Sequence, residues 1–157
     1  MSMQAATGLK LGEILAEQGW VHADQVKEAL ELQKLRPRRV GELLLDLGYI
    51  EEENLLRALG LQFGLDYEPS VRKQVESSLT TKVPISFIRE YHMVPYKRSN
   101  DGYLVAINDP INLLPLDDLR LLLDGAVIPV LCSKEDIQFI IDTYFEQQSE
   151  NAGELID

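Results

Sequence analysis

Lys10, Gly12 and Gln33 recur, at the same internal spacing, as Arg39, Gly41 and Gln62. Each set holds a cation two residues ahead of a glycine, and a glutamine further on. A cation at the start of a helix opposes the helix dipole, so local stability does not ask for it. Glycine there costs backbone entropy that alanine would spare. A bare helix start with a neighbouring cation suits an anion or a guanine edge instead. Arginine can take the O6 and N7 of guanine through two parallel hydrogen bonds.

These residues sit inside a longer phrase written twice. "KLGEILAEQGWVHADQVKEALELQ", residues 10–33, aligns without a gap on "RVGELLLDLGYIEEENLLRALGLQ", residues 39–62, after the five-residue spacer "KLRPR". Leu11, Ile14 and Leu15 carry helical spacing, and Gly19 falls where a helix would end in a left-handed residue. Val26, Ala29, Leu30 and Gln33 resume the period. Val40, Leu43, Leu44, Gly48, Leu55, Leu59 and Gln62 do the same in the second copy. Val21 with Val26, and Ile50 with Leu55, have the spacing of a hydrophobic staple. His22 and Glu51 stand at the cap positions of the second helices, though neither is a preferred cap. The phrase therefore predicts a duplicated αα-hairpin of four short helices over residues 1–70. Shared turns account for Gly19 and Gly48, but not for Gly12 and Gly41 or the cations before them.

Beyond residue 70 the texture changes. "HMVPYKR" and "YLVAIND" read as strands joined by a turn at "SNDG", and "VIPVLC" as a third strand whose proline suits an edge. "VPISFIREY" reads as a helix, as does "PLDDLRLLLDG" with an acidic first turn and a glycine stop. "SKEDIQFIIDTYFEQ" reads as a helix capped by Ser133, with Asp136 three residues on. Helices alternating with strands make a small three-stranded α/β subdomain over 71–148, and 149–157 reads as the start of a linker. The expected class is α+β, with helical hairpins first.

Composition bounds the function. The chain has 157 residues, 45% of them hydrophobic, enough for two small subdomains with a real core. A net charge of −11 disfavours DNA or general nucleic-acid binding. Cys132 is the single cysteine, which leaves no disulfide framework and no thiolate metal site. No apolar run has the length of a membrane span and no signal-peptide core is present, so a cytoplasmic location is expected. There is no GxxxxGK[ST], HExxH, CxxC or GxSxG. His22 reads as a helix cap, His92 as a lead into a strand, and Glu51, Glu52 and Glu53 as a solvated helix start. No catalysis, metal or cofactor is expected.

The doubled phrase resembles the paired motifs of the cyclic-di-GMP-binding N-terminal domain of pilus-assembly and type II secretion ATPases, the MshEN type. That pattern runs Arg-Leu-Gly, then spaced apolar residues and a second glycine, to a terminal Gln, twice, with a five-residue spacer. "GYLVAINDPINLLPLDDL" and "IIDTYFEQ" resemble the remainder of the domain, so the likeness runs from about residue 9 to 147. The resemblance implies that two related hairpins each grip one half of a two-fold symmetric dinucleotide. Leu11, Val26, Leu30, Val40, Leu55 and Leu59 would form an apolar floor. Gly12 and Gly41 would allow close backbone approach. Lys10 and Arg39 would reach guanine or phosphate, and Gln33 and Gln62 base edges. Glu42 and Asp109 would accept from guanine N1–H and N2–H.

Lys10 stands where the pattern has arginine, and a lysine lacks the planar fork. Loss of one bidentate guanine contact costs about 1–3 kcal/mol. Ala16 and Trp20 also occupy positions that usually take aliphatics. The resemblance further implies that ATP hydrolysis belongs to a C-terminal ATPase domain beyond residue 157. It leaves open a docking module that meets the cytosolic part of an inner-membrane secretion or pilus component without nucleotide, held peripherally at that membrane. A bare helical scaffold is the third reading.

Overall fold

The computed structural model describes residues 10–145, which form two compact units, one up to Asp66 and one from Tyr67 onward.

The first unit is four helices: α1 (Leu11–Glu17), α2 (Ala23–Leu35), α3 (Val40–Asp46) and α4 (Glu52–Phe63). The short helices α1 and α3 stop in the same way. Gly19 and Gly48 turn left-handed at φ 75° and 76°, and Trp20 N and Tyr49 N each return 3.0 Å to a carbonyl, of Leu15 and Leu44. A Cβ at either glycine would meet nothing, so backbone conformation alone selects glycine there. At the start of α2, Gln25 Oε1 accepts the His22 backbone N–H at 3.0 Å, one half of a capping box.

Ile14, Leu15, Val21, Ala29, Leu43, Leu44, Ile50, Leu55 and Ala58 form the buried centre of this unit. α2 packs on α3, α1 on α4, and α1 on α3. Exchanging α1 with α3 and α2 with α4 maps these three contacts onto themselves, while α1 also packs on α2. The duplicated phrase has thus folded into a pseudo-two-fold arrangement, with α1 and α3 at the axis.

The second unit opens at Tyr67, which bridges Leu131, while Glu68 N donates to Leu131 O at 2.9 Å. Two 3-10 turns, Val71–Gln74 and Ser77–Thr81, lead to α5 (Ile85–Tyr91). Then come β1 (Val94–Ser99), β2 (Gly102–Ile107), α6 (Pro115–Leu123), β3 (Val127–Leu131) and α7 (Lys134–Ile140). A π-helical turn, Ile141–Phe145, extends α7. The sheet order is β1-β2-β3, with β1 antiparallel and β3 parallel to β2. Pro129 therefore does lie on an edge strand. Ser133 Oγ accepts from Asp136 N at 3.1 Å, the expected cap. The fold is α+β, as read.

One expectation needs correction. α6 is stopped by Asp124, left-handed at φ 51°, and not by Gly125. Aspartate tolerates that region better than most side chains. The sequence read as a linker, 149–157, lies outside the described residues.

Candidate functional site

Lys10 and Arg39 cap α1 and α3 with almost the same backbone, φ −72°, ψ 150° and φ −67°, ψ 144°, and both are exposed. Neither uses its side chain as a helix cap. Two residues on, Gly12 and Gly41 are buried. A Cβ at Gly12 would stand 2.6 Å from Val26 Cγ1, and one at Gly41 2.8 Å from Leu55 Cδ1 and 3.1 Å from Leu11 Cδ2. The glycines thus let each second helix close on the first turn of its own hairpin. Tertiary clearance answers what the local turns left unexplained, and no ligand is needed to demand glycine at these positions.

The Leu11–Gly41 contact also shows that the first turns of α1 and α3 abut. The two helix starts that carry the cations therefore lie beside one another, near the pseudo-axis. Leu11, Val26, Val40 and Leu59 pack partly buried against the core that contains Leu55. Leu30 departs from this set. It is 46% exposed, and Leu32 packs against the core from the same helix.

The polar candidates divide. Gln33 Nε2 donates to the Arg38 carbonyl at 2.8 Å, which brings the end of α2 to the residue before Arg39. Its amide oxygen remains as an acceptor group. Gln62 lies partly buried near the end of α4. Glu42 accepts from Arg38 Nε at 3.4 Å, and Arg38 Nη1 also pairs with Asp46. Arg38, in the spacer, thus links the approach to α3 with two carboxylates of that helix. Its i, i+4 relation to Glu42 was the signal that could have found it. Asp109 belongs to the second unit, where its Oδ1 accepts from Ile111 N at 3.0 Å.

The second unit holds a cavity of about 680 Å³ at the carboxyl ends of the parallel pair β2 and β3. Glu90, His92, Asn108, Asp109, Lys134 and Glu135 are among its lining residues. Asn108 Nδ2 ties the two strand ends by donating to Cys132 O at 2.9 Å. Burial, aided by the charges of Asp136 and Glu68, pushes the Cys132 thiol up to about 12, which makes it a poor nucleophile at neutral pH. Among the described residues, no group of three or more His, Cys, Asp or Glu could hold a metal ion. None of their helices is long and apolar enough to cross a membrane.

The sequence model of the MshEN domain matches residues 59–151, more than half of the chain. The chain belongs to that family. The matched span starts at Leu59, so most of the doubled phrase precedes it. Among solved structures, MshE with c-di-GMP aligns at a TM-score of 0.75 and 29% identity, covering 87% of this chain and 99% of that one. The N-terminal domain of XpsE shares the fold at a TM-score of 0.61 and 16% identity, over 92% and 97% of the two chains. Among curated relatives, the type IV pilus assembly ATPase PilB of Myxococcus xanthus is 27% identical over 147 residues, 94% of this chain. PilB of Thermus thermophilus is 28% identical over an alignment of 172 positions that covers 87% of this chain. The chain spans 26% and 19% of these two ATPases.

Proposed function

We propose that this chain is a cyclic-di-GMP-binding regulatory domain of a bacterial secretion or pilus-assembly ATPase. The observation that carries this reading is the pairing of two helix starts. Lys10 and Arg39 cap abutting first turns of a pseudo-two-fold helical unit. A ligand with one guanine and one phosphate in each half is complementary to that arrangement. Arg39 supplies the bidentate contact to one half, and Lys10 a point charge to the other. Gln33, held by the Arg38 carbonyl, presents its amide oxygen to a base N–H. Leu30 serves as apolar contact because it is already exposed.

Support for the ligand comes from the neighbour MshE, solved with c-di-GMP, and support for the setting from the two pilus ATPases. In this reading the domain acts in the cytoplasm, reaches the inner membrane only through a partner, and reports ligand occupancy to an ATPase domain of the same protein. Calorimetric titration with cyclic di-GMP tests it, with GTP and cyclic di-AMP as controls. The expected result is saturable binding of cyclic di-GMP alone, lost in Arg39→Ala with the melting curve nearly unchanged. Silence at high micromolar cyclic di-GMP would rule the reading out.

A further inference from the structure

Helix α6 has leucines on two faces, and its own unit uses only one. Leu116, Leu119 and Leu123 are buried. Leu114 and Leu121, seven residues apart and so on one side of the helix, are 78% and 81% exposed. Leu122 beside them is exposed, as are Ile111 in the preceding loop and Tyr91 at the end of α5. Tyr91 and Pro115 line the same cavity. The charge of Asp118 also reaches the Tyr91 phenol, after that of Glu90, so these residues form one neighbourhood. Single exposed leucines are ordinary, but three on one side of a single short helix are not.

The rim of the ridge is acidic. Asp117 and Asp118 fall between Leu114 and Leu121 along that face of α6, Asp124 follows at its end, and Glu90 stands beside Tyr91; Arg120, the cation of α6, is paired with Asp117. An anionic bilayer would be repelled by that rim. So would a second copy of a chain carrying a net charge of −11. We infer that the outer face of α6, with Leu114, Leu121 and Leu122 set among Asp117, Asp118 and Asp124, docks a basic amphipathic helix of a partner protein. Leucine anchors would enter the ridge and lysines or arginines would meet the rim, the helix-on-groove mode of recognition. This docking does not depend on nucleotide binding by the first unit.

The test is an NMR titration of the labelled chain with an 18-residue leucine–lysine amphipathic helical peptide. A scrambled peptide of the same composition and a leucine–glutamate counterpart serve as controls. The leucine–lysine peptide should saturate at one per chain and shift Leu114, Asp118, Leu121 and Leu122. Binding should weaken at least tenfold with the scrambled peptide or in the Leu114→Ser/Leu121→Ser variant, and several-fold in Asp117→Asn/Asp118→Asn. Should the double serine variant melt early, Leu121→Gln alone replaces it and should still weaken binding several-fold. Equal affinity for either control peptide, or shifts confined to the first unit, would overturn the inference. So would recruitment to phosphatidylglycerol vesicles through the leucines, or leucine-dependent self-association in sedimentation.

Discussion

The two hairpins of the first unit share a backbone and differ in what they turn outward. Their first helices begin and end with nearly equal dihedral angles, and their glycine turns agree to a degree, φ 75° against 76°. Past those turns the copies part. Lys27 of α2 is exposed, whereas its counterpart in α4, Leu56, is buried. Leu30 is exposed and its counterpart Leu59 half-buried. α4 ends on left-handed Gly64, whereas α2 runs through extended Arg36 into the cationic spacer. Tyr49 donates its hydroxyl to Glu28 across the hairpins. The equivalent pair, Trp20 and Arg57, holds two donors and no acceptor, and Arg57 pairs with Glu53 at 2.9 Å instead. The glycines kept in both copies set turns and close contacts, and the exposed cations Lys10 and Arg39 and the closing Gln33 and Gln62 are kept beside them, while other outward positions diverge.

Substitutions at matched positions can break this comparison. The largest contrast is expected at 56 against 27. Leu56→Ala should cost about 2–5 kcal/mol in urea unfolding, while Lys27→Ala at an exposed site should stay within about 0.5 kcal/mol. Equal effects would mean that the two second helices are not differently buried.

Next come the packed glycines. Alanine at position 12 presses on branched, stiff Val26, and overpacking of that kind costs about 1–3 kcal/mol, partly offset by about 0.5–1 kcal/mol of helix preference. Gly41→Ala meets the terminal methyls of Leu55 and Leu11, which can swing aside, so its loss should be the smaller. Thermal melts of the two variants would reveal whether that order holds.

The smallest effect is at Tyr49. The hydrogen bond to Glu28, then partial burial, then the Glu28 charge raise its phenol above the ordinary 10.0. The folded state therefore holds this proton more tightly than the unfolded chain does. That stabilisation is fully present below pH 10 and fades as pH rises through the folded value. Tyr49→Phe should lose a little stability at pH 8 and show a shallower alkaline decline than the parent. Identical pH profiles would remove the hydrogen bond from the account.

Much of this was legible from local signals. Gly19 and Gly48 announced left-handed turns, Ser133 with Asp136 announced a cap, and Pro129 announced an edge. The reason for Gly12 and Gly41 was not legible, because it lies in Val26 and Leu55, residues brought near only by tertiary packing. Asp124 took the left-handed position ahead of Gly125 because helix α6 ended one residue sooner than the glycine suggested. The 3-10 turns between 71 and 81 carry no periodic signal. Of the candidate site, the paired cations were visible in the spacing, but the abutting of their helices and the part played by Arg38 required coordinates.

The most direct test of a shared site is an amide-resonance titration with cyclic di-GMP. Joint movement of Leu11–Gly12 and Val40–Gly41, complete at one ligand per chain, is the predicted result. Movement in one hairpin only, or in neither at saturating ligand, would contradict a dinucleotide held by both halves.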